Sequence, residues 1–304
     1  MKNLVSVIIN CYNGEEFLSL AIDSVLTQTY ENWELIFYDN CSTDKSKEIF
    51  LGYKNEKFRY YKSEKLIKLY NARNNAILKS KGDFYSFIDV DDLWFPEKLE
   101  LQMNTFKDKE VGISCGNFIL IDERNIYNKI SAPLYDFIPS GFVIDNLLSK
   151  YFIHMSSLVI RKTAYYSLNK GFNSNYTIVG DIDLVVRLNL NWKLSSIQKP
   201  ITYYRYHRNN TGNKESHLIS NELKLLYHDL LNNYPVITKK SNFNLFEKKV
   251  YWHIVVSELE NNFKVKALKN IYKLSTMNKL KLLLSLLIPF YIIKLYIKRR
   301  SLFI

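Results

Sequence analysis

No acidic residue follows Glu260, although ten lysines and arginines do. The formal net charge of +12 is therefore a property of one region. Residues 1–212 hold 26 Lys and Arg against 24 Asp and Glu, whereas residues 213–304 hold 16 against 6. A basic excess confined to an apolar tail argues against a fold that grips nucleic acid with interleaved basic and aromatic side chains, and points instead to an anionic surface met by the tail. Cysteine is also scarce. Cys11, Cys41 and Cys115 are odd in number and share no zinc-ligand spacing, so a disulfide framework is excluded and reduced thiols in a cytosolic compartment are expected. No leader is expected, because Met1-Lys2-Asn3 runs straight into Leu4-Val5-Ser6-Val7-Ile8-Ile9, too short for a signal h-region. The apolar stretch Leu282–Ile293, broken by Ser285 and Pro289, is twelve residues long, short of the roughly 18–20 needed to cross a bilayer. There is no internal repeat and no low-complexity linker.

What remains is a globular composition, 47% hydrophobic and 24% charged, rich in aromatics with 23 Tyr and 18 Phe. The spacing predicts strands over Leu4–Ile9, Trp33–Tyr38, Phe58–Tyr61 and Phe84–Ile88, alternating with helices over Glu15–Thr29, from Asp44, and over Tyr70–Lys79. Ser42 or Thr43 is placed to cap the second of these helices. Pro96 suits the first turn of a further helix reaching about Lys107. Val111–Ile121 and Ser156–Arg161 read as strands, Gly180-Asp181 opens a helix, and everything from Ser216 onward is helical in pattern. Alternating strands and helices imply an α/β fold, with a mainly parallel sheet covered by helices on both faces and ligands taken in the crevice beyond the carboxyl ends of the strands. Polar clusters fall at three such ends: residues 10–14, 39–44 and 89–92. Asp89-Val90-Asp91-Asp92 either forms a solvated acidic turn before a helix or shares a hard divalent cation with a phosphate.

Several segments taken in order resemble family 2 glycosyltransferases with the GT-A (Rossmann-like) fold. They are Val5-Ser6-Val7-Ile8-Ile9-Asn10-Cys11-Tyr12-Asn13, Leu35–Asp44, Asn71-Ala72-Arg73-Asn74, Phe87–Trp94, Pro96-Glu97-Lys98-Leu99 and Gly180-Asp181-Ile182-Asp183-Leu184 with Arg187-Leu188. The resemblance spans roughly residues 4 to 210. It implies that Asp91 binds a divalent cation, Mg²⁺ or Mn²⁺, which bridges the donor diphosphate, with Asp89 contacting the ribose or the cation's water shell. It also implies that Asp39 and Asn40 read a uracil-type base, that Tyr12 stacks on that base, and that Arg73 approaches the phosphates. Asp181 is the implied catalytic base, with Asp183 next in line, and His207 closes over the diphosphate or metal. Asn40 stands where the family usually has a second acid, and Gly180 where it often has Glu.

The expected organisation is a catalytic domain over 1–212, with a nucleotide-binding half at 1–92 and an acceptor-binding half at 93–212. A basic helical region follows at 213–304, with a membrane-surface helix at 279–304 flanked by Lys279, Lys281, Lys294, Lys298, Arg299 and Arg300. The expected function is inverting, metal-dependent transfer from a UDP- or dTDP-sugar to a glycan or lipid-linked acceptor of a cell-surface polysaccharide, on the inner face of the cytoplasmic membrane. No nucleic-acid partner is expected; a homo-oligomer is compatible with the tail. The alternatives are a nucleotidyltransferase, which calls for a Gly-rich basic loop where Asn10–Glu16 has one glycine, and a non-catalytic nucleic-acid- or glycan-binding protein. Deleting residues 279–304 is expected to release the protein from anionic vesicles in a flotation assay at moderate salt. Undiminished flotation of the truncated chain would refute the tail as the anchor.

Overall fold

The computed structural model describes residues 3–122, 133–260 and 264–274, with 276 and 279. The strands are β1 (Val5–Cys11), β2 (Trp33–Asp39), β3 (Phe58–Lys62), β4 (Phe84–Phe87), β5 (Leu93–Trp94), β6 (Val111–Asp122), β7 (Val159–Arg161) and β8 (Lys193–Tyr206). The first helices are α1 (Leu18–Leu26), α2 (Ser46–Gly52), α3 (Leu69–Lys79), α4 (Lys98–Thr105), α5 (Ile144–Ser149), α6 (Lys162–Tyr166) and α7 (Gly180–Leu188). They are followed by α8 (Thr211–Lys214), α9 (Ile219–Asn233), α10 (Pro235–Thr238), α11 (Phe243–Glu260) and α12 (Lys264–Ile271). The chain divides into two compact units: Met1–Val143 with Phe152–Asn213, and Ile144–Tyr151 with Lys214–Ile304.

In the first unit eight strands form one sheet in the order β3-β2-β1-β4-β7-β6-β8-β5. β1 and β2 are almost continuously apolar and buried along their length, as parallel strands covered on both faces must be. β1 pairs in parallel with β2 on one side and β4 on the other, so the strand order reverses at β1 and opens a crevice beyond its carboxyl end. The register sets Cys11 beside Asp39 and Ile8 beside Phe87, which brings the loops after β1, β2 and β4 to the same edge. α1 buries Leu18, Ala21, Ile22 and Val25, the i, i+3, i+4, i+7 stripe that its sequence shows.

The distal half of the sheet is mixed: β4–β7, β6–β7 and β5–β8 are antiparallel, and β6–β8 is parallel. Only its last residues look like a strand in the sequence, yet β8 starts at Lys193. Its first half is polar and carries Pro200, which sits opposite Asn117 where the ladder slips register and no regular strand hydrogen bond is needed. The expected strand from Ser156 begins instead at Val159, because Met155–Ser157 is a 3₁₀ turn. Neither Ser42 nor Thr43 caps α2, whose N-cap position is Lys45 and makes no side-chain cap hydrogen bond; ahead of it Asp44 Oδ1 accepts from the Ser46 N–H at 3.0 Å.

Several buried polar groups of this unit bond to one another. Glu34 in β2 accepts from the Ser6 hydroxyl at 2.7 Å and from the Lys81 amide at 2.6 Å, and Ser6 Oγ accepts from the Gly82 amide at 2.8 Å. Lys98 is fully buried; its Nζ donates to Ser86 Oγ at 3.0 Å and Gln102 Oε1 at 2.8 Å, and lies 4.0 Å from the Trp94 ring centre. Burial pushes this ammonium well below its ordinary pKa.

In the second unit, α9 buries Leu223, Leu226, Tyr227 and Leu230, and Tyr227 stacks on Phe243 of α11 with ring centres 5.6 Å apart. Val255, Ala267 and Leu274 form a small core there. Asp145 of α5 accepts from Ser241 and Asn242, which fixes an insertion from the middle of the sequence onto the carboxy-terminal helices. Among the described residues no helix is long and apolar enough to cross a membrane. The expected surface helix at 279–304 lies outside the described residues apart from Lys279.

Gly82 tolerates no side chain, since a Cβ there would sit 2.6 Å from the Ser6 backbone nitrogen and 2.9 Å from Leu4 O. Gly82→Ala should cost about 1–3 kcal/mol in urea unfolding, because backbone cannot yield as a side-chain end can. An unchanged midpoint would refute the close packing.

Candidate active site

The loops after β1 and β2 are joined by hydrogen bonds between backbone and side chain. Asn13 N donates to Ser42 Oγ, Thr43 N to Asn13 Oδ1, Gly14 N to Ser46 Oγ, Glu15 N to Asp44 Oδ2 and Lys45 N to Glu15 Oε2. Asn13 and Cys41 have left-handed backbones, with φ of 53° and 66°. Asn adopts that region readily, whereas Cys41 holds it at a conformational cost. Asp39 is buried beneath this platform, with Oδ1 accepting from Ser42 N and Oδ2 from the Tyr60 hydroxyl, both at 2.7 Å. Asn40 is committed elsewhere. Its Nδ2 donates to Ile67 O at 2.7 Å and its Oδ1 accepts from Ile67 N at 3.1 Å, which pins the segment leading into α3. Tyr12, 51% exposed, presents a free ring face.

The acidic cluster after β4 has three distinct environments. Asp89 Oδ1 accepts from Arg73 Nη2 at 2.7 Å; the Asp89 side chain is 36% exposed and that of Arg73 only 4%. Asp91 Oδ2 lies 2.9 Å from His207 Nε2 and accepts from Asn210 Nδ2 at 3.0 Å. Asp92 is buried: Oδ1 accepts from the Arg205 amide at 3.1 Å, Oδ2 accepts from the Ser156 hydroxyl, and His154 Nε2 lies 3.3 Å away. Burial raises the Asp92 pKa well above the usual carboxylate range and pushes His154 down to about 4. Arg205, 1% exposed, donates from Nε to the Asp91 carbonyl at 2.9 Å and lies over the Phe17 ring at 4.6 Å. The last residues of β8 thus clamp the acidic loop from behind.

Asp181 stands in the first turn of α7, where the positive end of the helix favours a carboxylate. Its Oδ1 lies 3.2 Å from the Tyr70 hydroxyl. Burial raises its pKa and the Arg73 guanidinium opposes that rise. Asp183, the second candidate for the base, is fully buried in a two-pronged pair with Arg187, whose closest contact is 2.6 Å; Arg187 also donates to Lys170 O and Gly171 O. That carboxylate holds the helix and is not presented at the crevice.

Asp89, Arg73 and Asp181 are therefore brought together through α3, and Asp91 with His207 forms a second group beside them. Tyr12 and Asp39 belong to the platform across the crevice; Asn40 lies there too, with its amide turned to main chain. Sequence reasoning passed over Arg205, Asn210, Ser156, His154 and Tyr70. For Arg205 and Asn210 the sequence carries a signal, the polar run His207-Arg208-Asn209-Asn210 that follows Tyr203-Tyr204-Arg205-Tyr206. For Tyr70 there was none, since its partner lies 111 positions away.

A divalent cation is compatible with this donor set only if the ligand supplies part of its shell. Among the described residues no three His, Cys, Asp or Glu side chains are grouped so as to hold a metal by themselves. Asp91 with His207, and Asp89 close in sequence, suit a cation that takes its other ligands from phosphate and water.

A sheet of this order with an acid-lined switch point places the protein in the GT-A class. The structure resembles Staphylococcus aureus TarS 1–349 in complex with UDP-GlcNAc at a TM-score of 0.68 and 16% identity, covering 90% of this chain and 82% of that one. It also resembles the mannosyltransferase PcManGT from Pyrobaculum calidifontis in complex with GDP-Man and Mn²⁺, at a TM-score of 0.59 and 14% identity over 94% and 79% of the two chains. Residues 6–164, just over half of the sequence, match the profile of Glycosyl transferase family 2, and the chain belongs to that family. The fold class and the family expected from the sequence are thereby borne out. Two curated relatives are Escherichia coli enzymes, both UDP-Glc:alpha-D-GlcNAc-diphosphoundecaprenol beta-1,3-glucosyltransferases. WfgD is 35% identical over 43% of this chain and 51% of its own length, and WfaP is 32% identical over 43% and 52%. The chain thus spans about half the length of these relatives.

Asp92→Ala should destabilise the protein by about 2–4 kcal/mol in chemical unfolding, because it strands the Arg205 amide and the Ser156 hydroxyl in the interior. Asp92→Asn, which can still accept from Arg205, should cost less than half as much. Equal losses would show that the hydrogen bonds are not what holds the loop.

Proposed function

We propose that the protein is an inverting, metal-dependent glycosyltransferase that moves a sugar from a UDP- or dTDP-linked donor to a hydroxyl of a glycan or lipid-linked acceptor in cell-surface polysaccharide biosynthesis. The observation that carries this reading is α3. One helix face sends Arg73 to Asp89 and Tyr70 to Asp181, so a carboxylate suited to deprotonate an acceptor stands beside the acidic loop at the switch point. The acceptors in the names of WfgD and WfaP, both diphosphoundecaprenol-linked, support a lipid-linked acceptor and a place on the inner face of the cytoplasmic membrane, where the basic tail would meet anionic lipid.

In this reading the donor base lies over the platform, stacked on Tyr12 and read by Asp39. Asn40 would contribute only the lone pair that Ile67 leaves free. Asp91, with His207 and Asp89, would hold a divalent cation, Mg²⁺ or Mn²⁺, which when bound offsets the charge gathering on the departing diphosphate. Arg73, fixed by Asp89, adds positive charge on the same side. Asp181 takes the proton of the acceptor hydroxyl as that oxygen forms its bond to the anomeric carbon and the bond from that carbon to the diphosphate oxygen breaks, with inversion. Burial raises its proton affinity, which suits a base, and the Arg73 guanidinium opposes that rise.

Asp91→Ala should lower UDP release from UDP-glucose or UDP-N-acetylglucosamine by at least about 100-fold and remove the Mn²⁺-dependent part of thermal stabilisation by UDP. Asp181→Asn should retain that stabilisation and lose sugar transfer to a comparable degree. Full turnover in Asp91→Ala refutes the cation role, and full transfer in Asp181→Asn moves the base to another group.

A further inference from the structure

We propose that Tyr70 is the positioning residue for Asp181, and that Gly180 is glycine to admit its ring. This rests on the reading of Asp181 as the base. Tyr70 is 2% exposed, and its hydroxyl makes three contacts on the turn that enters α7: it donates to Ile178 O at 2.9 Å, accepts from Asp181 N at 3.2 Å and lies 3.2 Å from Asp181 Oδ1. The N-cap residue of α7 is Val179, which makes no side-chain cap hydrogen bond. The first-turn amides of a helix need an outside acceptor, and a phenol from another helix supplies one here. Both the backbone and the carboxylate of Asp181 are thus referred to a single oxygen atom.

The ring is itself fixed. It stacks on Phe172 with centres 5.3 Å apart and planes at 22°, and the Arg73 guanidinium lies 5.3 Å from its centre. A Cβ on Gly180 would lie 2.5–2.7 Å from three atoms of this ring, a clash that only displacement of the ring could relieve. Gly180 does not have a left-handed backbone, so space and not conformation demands glycine. Where the family often carries an acid before the base, this chain carries a phenol inserted from α3. Because Tyr70 and Arg73 are three residues apart on one helix face, the group that sets the base and the group that pairs with Asp89 move together.

The hydroxyl also bears on proton affinity. Its single proton is shared between Ile178 O and Asp181 Oδ1, and donation to the carboxylate favours the ionised form. The groups facing Asp181 are Tyr70, which burial keeps protonated far above its ordinary pKa, and Arg73; on its own helix, Asp183 and Arg187 are paired with each other. Tyr70→Phe keeps the ring and removes the hydroxyl. The carboxyl titration of Asp181, followed by ¹³C NMR in Asp-labelled full-length protein, should then move up by about half a pH unit or more. The rate of UDP release from UDP-glucose or UDP-N-acetylglucosamine should fall about tenfold with donor KM within about twofold, and its acid limb should move the same way.

Replacing Tyr70 with 3-fluorotyrosine, a better donor of the same shape, should move the Asp181 titration down, and this test stands even if Tyr70→Phe fails to fold. Unmoved Asp181 titrations in the fluorinated protein, or a Tyr70→Phe enzyme with unaltered rate and pH profile while Asp181→Asn is inactive, would overturn the role of Tyr70 and leave the base in place. Full activity in Asp181→Asn would instead overturn the assignment of the base.

Discussion

A carboxyl group placed in the interior must find donors, and Asp92 finds them in the Arg205 amide and the Ser156 hydroxyl, with the His154 ring 3.3 Å away. These come from the end of β8 and from the turn ahead of β7, strands that pair with β5 and β4 on either side of the acidic loop. Arg205 completes the clamp by donating to the Asp91 carbonyl. The outward direction of Asp89 and Asp91 follows from the inward direction of Asp92. Of the three acids, the one with no part in the proposed chemistry sets the geometry of the two that have one.

The same logic operates across the crevice. α3 contributes nothing acidic, yet it decides where two acids point. Arg73 reaches Asp89 and Tyr70 reaches the first turn of α7. The amino-terminal approach to α3 is tied to Asn40 through Ile67, so the segment that follows β2 and the helix that carries Arg73 share a fixed spacing. Displacement of the segment at Asn40 would be felt at Arg73 without any contact between the two side chains.

Much of this was legible in the sequence. The run Val5–Ile9 and the helical stripe from Leu18 to Val25 are local patterns that burial enforces directly, and the polar residues after each strand marked the crevice before its shape was known. What escaped was non-local. β8 hides behind Lys193–Pro200 because its pairing with β6 tolerates an irregular ladder there. Asp183 stood second to Asp181 as the base because the sequence does not show that Arg187, one turn on, folds back onto it. Tyr70 and Asn40 owe their roles to partners that only the tertiary structure supplies. The insertion of α5 into the second unit left no mark in composition at all.

The zipper between the loops after β1 and β2 bears on how such a protein diversifies. Asn13, Gly14 and Glu15 on one side and Ser42, Thr43, Asp44, Lys45 and Ser46 on the other exchange bonds in both directions, so neither loop has a complete set of partners without its counterpart. Drift in one loop strands donors and acceptors in the other. Change in this lineage should therefore come as paired substitutions inherited as a block, and a chimera that transplants a single loop begins with donors and acceptors that have lost their counterparts.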